Sequence, residues 1–211
     1  MSLTLDEKKH EYKWDGVIVP SVTQIIGEWI RVQFSAMSVY YVNVFTGKSI
    51  SESVMLEAAD KGRAIHKAAN MLAEGKSVDM DMIDPSIIMP VTQFMNWLSD
   101  FKPKIIFTEK LMYSEKDRFA GTLDIFCEIK NKLSLVEIKT PIINLMVGAQ
   151  TAGYEKLLRE SSEKIRASIR RYELMLPRNG GIYDFNPLTD YGDLSFFENR
   201  LYQRRYLNGK Q

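Results

Sequence analysis

Apolar and polar residues alternate over 10–19 around Asp15-Gly16, which predicts a hairpin. Pro20-Ser21 then opens a helix, because Ser21 and Gln24 have the spacing of a capping box ahead of Ile25, Ile26 and Trp29. The aromatic-rich stretch 34–46 fits neither period. From 51 to 73 the period is helical, with Val54, Ala58, Ile65, Ala69 and Leu72 on one stripe and Gly75 as the stop. A polar loop with Pro85 leads to a second helix over 87–101, ended by Pro103. The period then falls to two, and 105–113, 119–130 and 133–140 read as strands closed by Pro141. Residues 142–167 are mostly helical in pattern. A hairpin over 172–176 and 182–185 and a C-terminal helix over 194–207 follow. Helices, a β-meander, a helix and a hairpin in that order predict an α/β fold, a central mixed β-sheet flanked by helices.

The chain of 211 residues is expected to form a single domain. Within it, 1–50 would form an N-terminal hairpin and helices, 51–185 the core, and 186–211 the C-terminal helix. Hydrophobic residues make up 45% and charged residues 26%, which argues against disordered, fibrous or membrane classes. The lone Cys127 excludes a disulfide framework, a four-cysteine zinc site and an iron–sulfur cluster. No secretory leader and no bilayer-length apolar run is visible, so a reducing, cytoplasmic setting is expected. A formal net charge of +1 gives no global case for nucleic acid, so a phosphate-binding surface would have to be local. The chain carries no nucleotide-binding phosphate loop.

The strands over 119–140 carry the chemistry. Leu123, Ile125, Cys127 and Ile129 alternate with Asp124, Phe126 and Glu128, and Val136 and Ile138 alternate with Glu137 and Lys139. A two-residue turn at Lys130-Asn131 would set Asp124 opposite Glu137. A turn at Asn131-Lys132 would set it opposite Lys139. Either one brings Asp124, Glu137 and Lys139 onto one face. Paired carboxylates can hold a hard divalent cation, and a neighbouring ammonium can orient water or stabilise a phosphate transition state. The bare Glu-x-Lys pattern is not distinctive, since it recurs at Glu7, Glu11, Glu74 and Glu128, and an ion-pair lattice across two strands is the plainer alternative.

The surrounding string is more specific. Gly121-Thr122-Leu123-Asp124, followed by Glu137-Ile138-Lys139-Thr140, resembles the core of the PD-(D/E)XK nuclease superfamily, in its RecB-type branch. Gly62-Arg63-Ala64-Ile65-His66 is similar to that branch's Gly-x-x-x-His helix, and Gln150-Thr151-Ala152-Gly153-Tyr154 to its Gln-x-x-x-Tyr helix. His10, Tyr12, Gly16 and Pro20-Ser21-Val22-Thr23 resemble the opening of phage-type exonucleases and of the mitochondrial genome maintenance exonuclease family. Many relatives have an acid four residues after the histidine, where this chain has Asn70.

The resemblance implies a restriction-endonuclease-like core and Mg²⁺- or Mn²⁺-dependent hydrolysis of DNA, by an exonuclease of phage or prophage type in recombination or repair. It implies Asp124, Glu137 and Lys139 as catalytic residues, and His66, Asp124, Glu137 and Ile138 at the metal. A nitrogen ligand makes Mn²⁺ more competitive than an all-oxygen site would. Gln150 and Tyr154, which share a helix face, would meet single- or double-stranded DNA. Two basic clusters, Arg166, Arg170 and Arg171, then Arg200, Arg204 and Arg205, are either ordinary solvated helix faces or a path for its backbone, with Arg204 and Arg205 as the leading contacts. Tyr202 and Tyr206 would either stack bases or pack their helix onto the sheet. A recombination partner protein is a further expectation. A structure-specific or restriction-type endonuclease, or a DNA-binding module that lost cleavage, are the alternatives. Cys127 is expected to be an inert buried thiol, and Glu128 a solvated rim residue beside the turn.

Overall fold

The computed structural model describes residues 2–6, 9–35, 38–140, 145–161, 165 and 167–209. The expected closure at Pro141, parts of the helical stretch 142–167, and Arg166 lie outside the described residues.

The N-terminal strands β1 (Leu3–Asp6), β2 (Glu11–Trp14) and β3 (Val17–Val19) form an antiparallel sheet, of which β1 was not legible in the sequence. Asp15 and Gly16 turn β2 into β3 with φ values of 47° and 82°, the left-handed pair that a two-residue hairpin needs. Helix α1 (Val22–Ile26) has both halves of the capping box: the Gln24 N–H donates to Ser21 Oγ at 3.1 Å, and the Ser21 N–H donates to Gln24 Oε1 at 3.0 Å. The helix is shorter than its apolar run suggests. Gly27, in the left-handed conformation, stops it, and Trp29 begins a strand.

The ambiguous aromatic stretch belongs to a second antiparallel sheet of β4 (Trp29–Ser35), β5 (Ser38–Asn43) and β6 (Ser49–Ser51). Ser51 caps α2 (Glu52–Ala73), and Asp84 caps α3 (Pro85–Phe101), with Pro85 in the first turn where its missing N–H is harmless. The α2 stripe holds at Ala58, Ile65 and Ala69 but not at Val54, which is 52% exposed.

The central sheet has the order β11-β10-β9-β8-β7. Its strands are β7 (Lys104–Ser114), β8 (Phe119–Ile129), β9 (Lys132–Lys139), β10 (Arg170–Met175) and β11 (Asp184–Pro187). It is mixed: β9 and β10 are parallel, joined across α4 (Val147–Ser161), and the other pairs are antiparallel. Both faces are covered. Ile125, Cys127, Ile129, Val136, Ile138 and Leu174 pack under α2 and α3, against Ile65, Val91, Phe94 and Trp97. Phe126, Leu135 and Met112 pack on the other face, under α1, α4 and α5 (Gly192–Asn208), with Val22, Leu157 and Phe197. Leu123 joins this second face rather than that of Ile125 and Cys127, so the strict alternation expected for the strand breaks at Asp124. The break coincides with a parting of strands described below. Among the described residues no helix is long and apolar enough to cross a membrane.

Candidate metal centre

The β8–β9 turn uses Lys130 and Asn131, at φ 49° and 60°, so the first of the two expected registers is the one formed. Pairing runs from Ile129↔Lys132 to Ile125↔Val136, which puts Asp124 next in line across from Glu137. There the two backbones part. The Ile138 N–H, instead of meeting a strand carbonyl, donates to Asp124 Oδ2 at 2.8 Å. Ile138's side chain is buried in the core under α2 and α3, leaving its main chain to meet the carboxylates. The freed start of β8 is taken up by the N-terminal segment: the Ala120 N–H donates to the Pro20 carbonyl at 2.9 Å, and Tyr12 and Thr122 hydroxyls lie 2.8 Å apart.

On the other side of β8, Thr108 pairs with Ile125 and Lys110 with Leu123, so Glu109 faces Asp124. Three carboxylates therefore stand in a row on adjacent strands: Glu109, Asp124, Glu137. Like charges directly opposite are destabilising, so the row requires cations. Helix α2 supplies one: His66 Nδ1 lies 3.2 Å from Asp124 Oδ1 and 3.7 Å from Glu109 Oε1. Ligand atoms of His66, Glu109 and Asp124 all lie within 4.8 Å of one another, a group that could hold a metal ion. Sequence reasoning missed Glu109. Its backbone is left-handed, at φ 45°, a conformation that costs a non-glycine residue about 1 kcal/mol or more. Nothing in residue type announces such a kink.

Lys139 supplies the second cation, with Nζ 2.8 Å from Glu137 Oε1. The same oxygen accepts a 2.7 Å hydrogen bond from Gln150 Nε2, and Gln150 also donates to the Tyr154 hydroxyl at 3.0 Å. Glu137 Oε2 is buried and has no hydrogen-bond partner among the described residues. An orphaned carboxylate oxygen at this depth is costly unless a cation joins it. The residues present thus fit a hard divalent ion, with oxygen donors from Asp124, Glu137 and Glu109 and one imidazole nitrogen.

The protonation equilibria reflect this crowding. Burial and the neighbouring Asp124 push the Glu137 carboxyl up to about 8, against the partial offset of Lys139 and His66. Burial opposes charge on His66, but Asp124 and Glu109 outweigh it and push the imidazole up to about 10. Burial would raise Asp124 too, yet His66, Lys139 and the Ile138 N–H hold it below the usual carboxylate range. Burial and then Glu137 keep the Tyr154 phenol well above its ordinary value.

The structure brings together His66, Asp124, Glu137, Ile138 and Lys139 and sets Gln150 and Tyr154 behind Glu137, both buried. It does not bring Arg204 and Arg205 to this cluster. Arg204 donates to the Gln24 carbonyl at 3.4 Å, and Arg205 pairs with Asp117 at 2.8 Å. Arg200 donates to the Ile26 carbonyl at 3.1 Å, and Arg171 pairs with Asp193 at 3.1 Å. Tyr202 and Tyr206 do not pack their helix onto the sheet; both are exposed, with ring centroids 6.4 Å apart. Cys127 is buried, and burial pushes its thiol up to about 12. A Cβ on Gly62 would meet nothing within 4 Å, so no strand demands glycine there. A cleft of about 900 Å³ opens elsewhere, between α4, β10 and residues 187–191, lined by Glu155, Arg170, Arg171, Tyr172 and Asp190.

No family model matches the chain, and no curated protein matches it. Among solved structures it is similar to one described as the crystal structure of SSO0001, at 18% sequence identity and a TM-score of 0.29. That alignment covers 57% of this chain and 61% of the other, less than two thirds of its length. A superposition this loose carries no weight for the site.

Proposed function

We propose that the chain is a metal-dependent deoxyribonuclease with a restriction-endonuclease-like core of the PD-(D/E)XK type, acting as an exonuclease in DNA recombination or repair. The observation that carries this reading is the orphaned Glu137 Oε2, buried on a residue whose other oxygen is fixed by Lys139 and Gln150 and which stands across from Asp124. The sequence resemblance around Gly121–Asp124 and Glu137–Thr140 supplies the reaction class.

Asp124 and Glu137 would bind the cation, with His66 and the Ile138 main chain beside them. Bound Mg²⁺ or Mn²⁺ would supply Lewis acidity and neutralise charge on the scissile phosphate. Asp124 is held for this by the Ile138 N–H, and Glu137 by Gln150. The Lys139 ammonium would orient the attacking water or stabilise the charge that grows on the phosphate. Water adds to phosphorus and the P–O bond to the leaving strand breaks, giving a phosphate monoester and a hydroxyl.

The test is incubation of the protein with DNA labelled at either end, with Mg²⁺ or Mn²⁺ and with chelator. Metal-dependent release of label from one end supports the reading. Internal cuts would support an endonuclease instead, and metal-independent binding without cleavage would support a binding module.

A further inference from the structure

Glu109 has no counterpart among the residues expected to form the site, yet the fold delivers it there by two separate devices. The first is register: the pairs Thr108↔Ile125 and Lys110↔Leu123 fix Glu109 across from Asp124. The second is the left-handed backbone at Glu109, flanked by a hydrogen bond in which the Thr108 hydroxyl donates to Asn70 Oδ1 of helix α2. That bond ties β7 to the helix that bears His66, one residue away from Glu109 and one helical turn beyond His66.

The donor spacing suits a metal ion. An octahedral ion bonded at about 2.1 Å separates adjacent donor atoms by about 3 Å and opposite ones by about 4.2 Å. His66 Nδ1 to Asp124 Oδ1 is 3.2 Å, and His66 Nδ1 to Glu109 Oε1 is 3.7 Å. A second observation accompanies the acidic cluster. The adjoining Glu137, whose side chain is only 3% exposed, presents a buried oxygen without a partner among the described residues and interacts electrostatically with both Asp124 and His66.

We propose that Glu109 is a direct ligand of the divalent cation, on the His66 side of Asp124, and that Asn70 positions it through Thr108. The inference rests on the nuclease reading only in sharing its cation. It assigns the ion a carboxylate from β7 that the sequence motif does not contain, and it makes the set one imidazole with three carboxylates in line. Such a set favours Mn²⁺ or Mg²⁺ over a soft metal.

The experiment is Mn²⁺ titration of the full chain, without DNA, by calorimetry and by the paramagnetic resonance of free Mn²⁺. Wild type, Glu109→Gln, Glu109→Asp and Asp124→Asn are compared, with the exposed Glu115→Gln as a surface control. Wild type and control should bind alike. Asp124→Asn should lose binding, and Glu109→Gln should bind at least about 10-fold more weakly, since even the residues that support ligands are worth 10–100-fold. Glu109→Asp keeps the charge but retracts the carboxylate by one methylene. If Glu109 acts by charge alone it will bind as wild type does; if Glu109 is a ligand it will bind measurably more weakly. That comparison decides the matter even if Glu109→Gln does not fold. Wild-type affinity in Glu109→Asp, with Asp124→Asn inactive in binding, would overturn the Glu109 assignment and leave the nuclease reading standing. Absence of Mn²⁺ binding by wild type would overturn both.

Discussion

A Cβ built on Gly121 would lie 2.7 Å from Cε1 of Tyr154 and 3.1 Å from Val22. The glycine three residues before Asp124 and the tyrosine four residues after Gln150 are therefore halves of one contact. Without a side chain at 121, the Tyr154 ring can pack against β8 and present its hydroxyl to Gln150, which holds Glu137. We expect Gly121→Ala to destabilise the fold by about 1–3 kcal/mol, as overpacking in a closed core does. Chemical denaturation measures this directly. Wild-type stability would mean that the ring has room to move.

Gln150 acts on the site through Glu137. Replacing it with alanine removes a hydrogen bond to a buried carboxylate and takes away the amide that donates to the Tyr154 hydroxyl. Metal affinity should fall about 10–100-fold, the usual effect of losing a group that orients a ligand. DNA binding measured in chelator should not change. A variant that binds metal normally but loses DNA affinity would instead make Gln150 a substrate contact, as its motif first suggested.

Asp117 offers a pH test remote from the metal centre. It is buried in the β7–β8 turn, paired with Lys156 at 3.0 Å and Arg205 at 2.8 Å. Burial opposes its charge, but these two cations outweigh burial and hold its carboxyl below the usual range. A depressed folded-state value stabilises the protein above the unfolded carboxylate value of about 3.9, and that contribution disappears as pH falls through the folded value. Asp117→Asn should therefore be less stable at neutral pH and should show a shallower loss of stability below about pH 4. Parallel acid limbs in the two proteins would show that the pair contributes nothing.

The central hairpin was legible because three signals agree on it: apolar alternation on both strands, an asparagine where φ must be positive, and acids where the alternation leaves gaps. Two candidate turns remained, and the face pattern does not choose between them, because a slip of two residues keeps every side chain on the same face; the chain forms the Lys130-Asn131 turn, with both residues at positive φ. Leu123 was misplaced because the strand rule assumes unbroken pairing, and pairing with β9 ends at Ile125, one residue short of Asp124. The β4–β5–β6 sheet gave no signal: Ile30 and Tyr40 are exposed within it, and its sequence lacks the alternation a one-sided sheet shows. Glu109 was hidden for a different reason, being placed by a backbone kink and by register with β8, neither of which resides in its own neighbourhood of the chain.

Arg204 and Arg205 hold α5 against α1 and the β7–β8 turn. Changing both to alanine should lower stability and leave the salt dependence of DNA binding unaltered. Removing a side chain that neutralises a phosphate would instead reduce the log–log slope by about 0.7 for a single strand or about 0.9 for a duplex. Titrations of a Lys139→Ala background, which should bind without cutting, across a salt series would read that slope. A slope lowered by one such step or more would place α5 along the DNA.

The most direct measurement is the initial rate of DNA hydrolysis by Glu137→Ala beside wild type, at saturating Mg²⁺ or Mn²⁺, with folding checked by thermal unfolding in chelator. Removing one preorganised electrostatic contact at a developing charge costs about 3–4 kcal/mol, or two to three orders of magnitude in rate. We expect wild type to cleave only with metal, and Glu137→Ala to remain folded and lose at least that much. Cleavage by Glu137→Ala at the wild-type rate would contradict the assignment of this carboxylate, and with it the metal centre.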